Sequence, residues 1–300
     1  MLTPKNLKIG DTIGILSTAR KFTSEQLEFC TQILNTWGFK VVIGSSINAE
    51  EHQFAGSDQL RTDNLQAFID DPNIDAILCA RGGYGTMRII DQIDFSKFIQ
   101  NPKWISGFSD VTVLHQHLQS MGIASIHSSM PSLFPNDLQH NTLLSLENAL
   151  KGNELNYRVK INIDNLRMKN VEAEIIGGNL SLIYALQGSA SDINTDGKIL
   201  FIEDLDEYFY HIDRMMCSLD RAGKLKNLAA LVVGGMTDMK DNSIPFGMNV
   251  NEIIHHYTKK YNYPVLFDFP AGHWEKNYAI RLGQIAKIEI KDDEYIFSQK

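Results

Sequence analysis

Through the first 130 residues, short apolar runs alternate with amphipathic segments, and this rhythm constrains the fold more than any other feature of the chain. Asp11-Thr-Ile-Gly-Ile-Leu16 reads as a strand. Ser24 to Trp37 reads as a helix, with Leu27, Cys30, Ile33 and Leu34 at helical spacing, Thr23 or Ser24 as cap and Gly38 as stop. Phe39 to Ile43 is a second strand and Ser57 to Asp70 a helix carrying Leu60, Leu65, Phe68 and Ile69 on one side. Ala76 to Ala80 is a third strand, leading through a glycine-rich turn into a helix over Gly85 to Ile93. Ile105 to Gly107 closes a fourth strand, Val111 to Met121 is helical, and Ile123 to Ile126 suits a fifth strand. Strand–helix alternation at this interval predicts an α/β fold with a parallel, doubly wound, Rossmann-like sheet. Ligands bind at the carboxyl ends of strands in such sheets. Gly82-Gly83 and Ser109 both fall at such ends.

The pattern changes around residues 150–170. The alternating stretch from Asn156 to Ile163 reads as an extended connector, so the expected division is a domain over 1–150, a linker over 151–166 and a smaller α+β domain over 167–300. That second part mixes strands (Ile199 to Glu203, Leu228 to Val233, Ala286 to Ile290, Glu294 to Ser298) with helices (Leu180 to Gln187, Tyr210 to Ala222, Asn251 to Tyr261). No internal repeat is present.

Three hundred residues at 43% hydrophobic and 21% charged suit a soluble, enzyme-sized chain whose core divides in two. A formal net charge of −8 without any basic run argues against a nucleic-acid partner. No segment approaches the ~20 apolar residues of a membrane span, and the N-terminus lacks a signal-peptide core. The three cysteines, Cys30, Cys79 and Cys217, are widely spaced, which suits a reducing cytoplasm.

Ser109 stands two residues after Gly107, behind an apolar run and ahead of a helix, in Trp104-Ile-Ser-Gly-Phe-Ser-Asp110. A serine so placed can sit on a sharp strand-to-helix turn with Oγ exposed and backbone N–H groups aimed at the same spot. The four residues Gly107-Phe-Ser-Asp110 also suit a plain helix cap. Arg81-Gly-Gly-Tyr-Gly85 fits neither a dinucleotide fingerprint nor a P-loop. It reads either as a tight turn or as one half of an oxyanion hole, the Gly83 N–H paired with that of Asp110.

A serine nucleophile needs a base, and the nine histidines are unequal candidates. His115 and His117 face different sides of one helix, His255 and His256 sit on a surface helix, and His211 suits a packing contact. His127 ends a strand near Ser128-Ser129. His273, in Phe269-Pro-Ala-Gly-His-Trp274, occupies the kind of loop where bases are placed. For the orienting acid, Glu203 ends an apolar strand, and Asp204, Asp206 and Glu207 follow in competition. Residue chemistry alone does not choose among the four.

Six blocks resemble the LD-carboxypeptidases, the serine peptidases that include murein tetrapeptide carboxypeptidases and microcin C self-immunity peptidases. They are Ala80-Arg-Gly-Gly-Tyr-Gly85, Gly107-Phe-Ser-Asp110, Gly177-Gly-Asn-Leu180, Leu200-Phe-Ile-Glu-Asp204, Ile212-Asp-Arg-Met215 and Gly272-His273, in the family's order along almost the whole chain. The resemblance implies a catalytic triad of Ser109, Glu203 and His273, with Gly83 and Asp110 amides as the oxyanion hole. It also implies a homodimer and neither metal nor organic cofactor. The implied activity is release of terminal D-Ala from murein tetrapeptide in peptidoglycan recycling. Arg81, Tyr84 and Asn179 are the expected substrate contacts, with Arg81 or Arg88 for the terminal carboxylate. Two further readings stand beside it. One is an immunity-type hydrolase cleaving an aminoacyl-nucleotide bond, for which Tyr84 or Trp274 would stack on the base. The other is a non-catalytic ligand-binding protein. The chain departs from the family pattern at Leu16-Ser-Thr-Ala-Arg20, where Ala-Pro-Ser is frequent, and at Arg281, where Pro is common.

Overall fold

A computed structural model describes residues 1–136, 141–162 and 164–300. The first half supplies β1 (Thr12–Leu16), α1 (Glu28–Thr36), β2 (Lys40–Ile43), α2 (Asp58–Asp70), β3 (Ala76–Cys79), α3 (Ser96–Gln100), β4 (Trp104–Gly107), α4 (Thr112–Ser120), β5 (Ser125–His127) and α5 (Asn141–Lys151). The second half supplies β6 (Leu155–Lys160), β7 (Val171–Asn179), α6 (Leu180–Ala185), β8 (Ile199–Leu205), α7 (Phe209–Arg221), β9 (Ala230–Thr237), α8 (Val250–Thr258), β10 (Val265–Leu266), β11 (Ile280–Leu282), β12 (Ile285–Lys291) and β13 (Glu294–Gln299). No described helix is long and apolar enough to cross a membrane.

The first sheet runs β2-β1-β3-β4-β5, all parallel, as the alternation predicts. β3 and β4 are buried along their whole length, the signature of central strands covered on both faces. Cys79 lies among them as a free thiol, and burial pushes it up to about 12. Ser57 caps α2 by accepting from the Leu60 N–H at 3.2 Å. The expected helix over 85–93 is instead two 3₁₀ turns, Thr86–Arg88 and Ile90–Gln92. Its N–H groups bond three residues back rather than four, and the adjacent β-branched Ile89 and Ile90 are both buried, which disfavours a continuous α-helix.

Two segments depart from the expected division. Leu155–Lys160 lies within the expected linker, yet it is an edge strand of the second sheet, paired antiparallel with β13. Its period-2 pattern buries Leu155, Tyr157 and Val159. β11, far into the second half, crosses back and closes the first sheet antiparallel to β5, with Ile280 opposite His127 and Leu282 opposite Ser125. The second sheet runs β10-β9-β8-β7-β12-β13-β6, parallel through its first four strands and antiparallel thereafter.

Because β11 links the sheets, one apolar cluster runs through both halves. It contains Ile13, Trp104 and Ile126 from the first, Phe201, Val232, Phe269 and Phe297 from the second, and Ile280 and Leu282 between them. The halves also meet where β7 ends. The Asn179 N–H donates to Thr112 Oγ1 at 3.0 Å, joining the carboxyl end of β7 to the first residue of α4. Carboxyl-terminal strand ends from both sheets are thereby brought to one region.

Candidate active site

β4 runs straight into a 3₁₀ turn at Ser109–Val111, and Ser109 itself stands at φ +61°. A left-handed backbone is uncommon for a residue with a Cβ and marks local strain. It is not an ordinary cap: among the described residues no side-chain cap bond is made at the start of this 3₁₀ turn or of α4. His115, one turn into α4, holds the strand end in place. Its Nε2 lies 2.9 Å from the Gly107 carbonyl and its Nδ1 2.9 Å from Ser125 Oγ. The carbonyl can only accept, so Nε2 carries the proton. Burial pushes the His115 pKa down to about 3, leaving a neutral core histidine.

The glycine turn sits beside this serine. A Cβ on Gly82 would stand 3.0 Å from Ser109 Cβ and 3.2 Å from its Oγ. Asp110 ties the two turns together, its Oδ2 accepting from the Thr86 N–H at 2.9 Å. The Asp110 carboxyl is buried, and burial raises its pKa against the hydrogen bonds it accepts. Gly83, at φ +114°, holds a backbone conformation that favours glycine, and the side chain of Arg20 lies over it, its Cδ 2.5 Å from where a Cβ would stand.

Glu203 and His273 meet at the carboxyl edge of the second sheet. β8 and β9 slip register between Ile202 and Asp204, so Glu203 sits at a β-bulge, a device that re-aims a side chain near a site. The Glu203 Oε2 lies 2.6 Å from His273 Nδ1 and accepts the His273 backbone N–H at 3.0 Å. Gly272, at φ +94°, permits this: a Cβ there would stand 2.5 Å from Glu203 Cβ. With Nδ1–H donating to the carboxylate, Nε2 is left to accept a proton. Burial opposes charge on both partners, yet the ion pair and its hydrogen bond outweigh it. The Glu203 pKa is lowered and the His273 pKa raised. The loop is rigid: Gly272 N–H donates to Asn277 Oδ1 at 2.8 Å, Thr237 Oγ1 to the His273 carbonyl at 2.7 Å, and Gly235 N–H to Ala271 at 2.9 Å. Phe108, the residue before Ser109, has its ring centroid 4.8 Å from that of His273, so loop and serine turn adjoin.

The four competing acids separate cleanly. Glu203 is fully buried on His273. Asp204 points to α6, accepting from Asn179 Nδ2 at 3.0 Å and from the Ser181 N–H at 2.9 Å; burial and then the neighbouring Glu203 charge push it up to about 7. Asp206 pairs with Lys240 at 2.5 Å and Glu207 with His211 at 2.7 Å.

The substrate contacts expected from the sequence fare unequally. Tyr84 is 45% exposed on the glycine turn. Arg81 is half-buried beside it. Asn179 is not free to bind a ligand: its Oδ1 caps α6, accepting from Ser181 Oγ at 2.6 Å and the Leu182 N–H at 3.3 Å, while its Nδ2 serves Asp204. A residue at a strand-to-helix junction is read equally well as a cap or a contact until its neighbours are known. Arg88 is likewise committed, gripping Asp58 through Nε at 2.9 Å and Nη2 at 2.7 Å and stacking over Phe54.

Several residues were invisible at sequence level. Arg20 over Gly83, Arg61 bridging Thr18 and Gly85 carbonyls, and Asn277 behind Gly272 carry no motif. His127 is fully buried between Phe108 and Phe201, with ring centroids at 5.8 Å and 5.0 Å, and burial pushes its pKa down to about 4. It adjoins the site as a neutral ring rather than as its base.

Comparison with known proteins shows what the chain is similar to. Residues 13–128 match the LD-carboxypeptidase N-terminal domain and residues 172–288 the LD-carboxypeptidase C-terminal domain. A probable murein peptide carboxypeptidase of Bacillus subtilis is 32% identical over 284 residues, 93% of this chain and 89% of that protein. The murein tetrapeptide carboxypeptidase of Pseudomonas aeruginosa is 25% identical over 292 residues, 94% of each chain. The crystal structure of muramoyltetrapeptide carboxypeptidase from Oxalobacter formigenes superposes with a TM-score of 0.86 at 26% identity, covering 96% of this chain and 98% of that one. The microcin C7 self immunity protein shares the fold, with a TM-score of 0.86 at 21% identity over 100% of this chain and 99% of that one. With both domain models matched in order and one relative similar along nearly its whole length, the chain belongs to the LD-carboxypeptidase family.

Proposed function

We propose that this protein is a serine LD-carboxypeptidase that releases the terminal D-Ala of murein tetrapeptide, with Ser109 as nucleophile. The observation that carries the reading is the pairing of a left-handed Ser109 turn with a buried Glu203–His273 dyad lying against Phe108. His273 Nε2 takes the Ser109 proton as Oγ attacks the carbonyl of the L-configured residue. Glu203 stabilises the imidazolium, and the Gly83 and Asp110 N–H groups hold the oxyanion. The imidazolium then protonates the departing amine, and water activated by the same imidazole hydrolyses the acyl-enzyme. Relatives named for murein peptides support the substrate. A cytoplasmic, homodimeric enzyme of peptidoglycan recycling is part of the same proposal.

Incubation with murein tripeptide, tetrapeptide and pentapeptide, with D-Ala followed by mass spectrometry, tests it. D-Ala is expected from tetrapeptide alone, and Ser109→Ala should abolish its release. Release that survives Ser109→Ala would remove the nucleophile assignment. The exposed rings of Tyr84 and Trp274 favour one second reading, hydrolysis of an aminoacyl-nucleotide on which either could stack. Aminoacyl sulfamoyl adenosine as substrate in the same assay separates the two.

A further inference from the structure

Arg20 lies across the glycine turn with its guanidinium unengaged. Its side chain runs over Gly83, where an added Cβ would meet Cδ at 2.5 Å, Cγ at 2.6 Å and Nε at 2.7 Å. Backbone contacts set this position. The Ala55 N–H donates to the Ala19 carbonyl and the Lys21 N–H to the Gln53 carbonyl, each at 3.0 Å. The buried Arg61 binds the Thr18 carbonyl at 2.6 Å and the Gly85 carbonyl at 3.0 Å through one nitrogen, clamping the two segments together. Ala19 Cα would stand 3.0 Å from a Cβ on Gly85, so the segment leading to Arg20 packs directly on the turn.

Two of the neighbouring arginines are used structurally. Arg61 is fully buried on carbonyls and Asp58, and Arg88 is bidentate to Asp58. The guanidinium groups of Arg20 and Arg81 have no ion pair or hydrogen bond among the described residues, and of the two Arg20 is the exposed one, Arg81 being half-buried. A planar guanidinium left free beside the site can hold a carboxylate through two parallel N–H bonds.

We propose that Arg20 binds the free α-carboxylate of the residue to be released and so restricts the enzyme to chain ends. The inference rests on the hydrolase reading above and deepens it. A Cβ on Gly82 would stand 3.2 Å from Ser109 Oγ, and the next residue of the turn, Gly83, carries Arg20 above it. The carboxylate of a peptide's last residue lies one residue beyond the scissile carbonyl, a spacing of about 3.8 Å between Cα atoms. The turn therefore offers the attacked carbonyl and the terminal carboxylate their partners in the same order as they occur along the substrate.

The test uses a tetrapeptide ending in L-Lys-D-Ala, as the free acid and as its C-terminal amide. Hydrolysis is measured with the wild type, Arg20→Ala and Arg20→Lys, and binding by calorimetry in the Ser109→Ala background with and without Arg20→Ala. The free acid is expected to bind more tightly than the amide. Arg20→Ala should remove that preference and lower kcat/KM on the free acid about ten- to hundredfold, and Arg20→Lys should restore part of it. An equal affinity for acid and amide, or a preference that survives Arg20→Ala, overturns the role of Arg20 while D-Ala release by the wild type upholds the hydrolase. A wild type that releases no D-Ala overturns the hydrolase reading, and this inference with it.

Discussion

At the scale of single residues, the site depends on how buried charge is compensated. Glu203 has no solvent to stabilise its carboxylate, so its ionisation rests on His273 and the hydrogen bonds of the Gly272–His273 turn. The same pair holds the His273 pKa above its ordinary value. A base works in its neutral form, so kcat/KM should rise with pH through that raised pKa. Glu203→Gln removes the carboxylate, and its amide no longer favours the imidazolium or the productive tautomer. Activity should fall by about 10⁴, and the rising limb of the pH profile should move to lower pH. A limb left unmoved in that variant would mean that another group controls it.

At the scale of elements, the joint between β7 and α6 shows why a polar residue at a strand end is ambiguous in sequence. Asn179 could face a ligand or close a helix, and the choice is made by Asp204, 25 positions later, whose carboxyl takes the amide nitrogen while the amide oxygen caps the helix. Asn179→Ala should therefore act on stability, at about 1–2 kcal/mol for a lost cap and its partner, read by urea denaturation. KM for the tetrapeptide should stay within about twofold. A large rise in KM with unchanged stability would return Asn179 to the substrate. Other elements were legible because their signals are local. Ser57 before α2 and Gly38 after α1 mark their boundaries within a few residues, as capping chemistry requires. The 3₁₀ turns after Gly85 were not legible, since their apolar residues fit a helical period equally well.

At the scale of the whole molecule, the two halves are not independent. β11 returns to the first sheet, and the shared apolar cluster spans both sheets. Arg281 on β11 is 2% exposed and donates to the carbonyls of Ala149 at 3.1 Å, Asn148 at 2.9 Å and Asn153 at 2.7 Å. It thereby satisfies the carboxyl end of α5 from the opposite half of the chain. Arg281→Leu would leave those carbonyls buried and unpaired, at a cost of about 3 kcal/mol or more. Calorimetry should show a lower Tm, still as one transition, because a core shared by both halves unfolds as a unit. Two resolved transitions in the wild type would contradict that coupling.

The sequence by itself determined what short-range physics encodes: the strand–helix rhythm of the first half and the helix stop at Gly38, whereas the cap expected at Thr23 or Ser24 gives way to a 3₁₀ turn over Glu25–Leu27 ahead of α1. Family resemblance extended that to Glu203 and His273. Only the tertiary structure decided how the pieces meet. A bulge aims Glu203 at His273, β11 crosses to the other sheet, and Leu155–Lys160 joins an edge rather than a linker. The position of Arg20 over Gly83 and the commitments of Asn179 and Arg88 belong to the same class. Each is a contact between residues far apart in the chain, and the energy of such a contact depends on burial and geometry that no local pattern of residues contains.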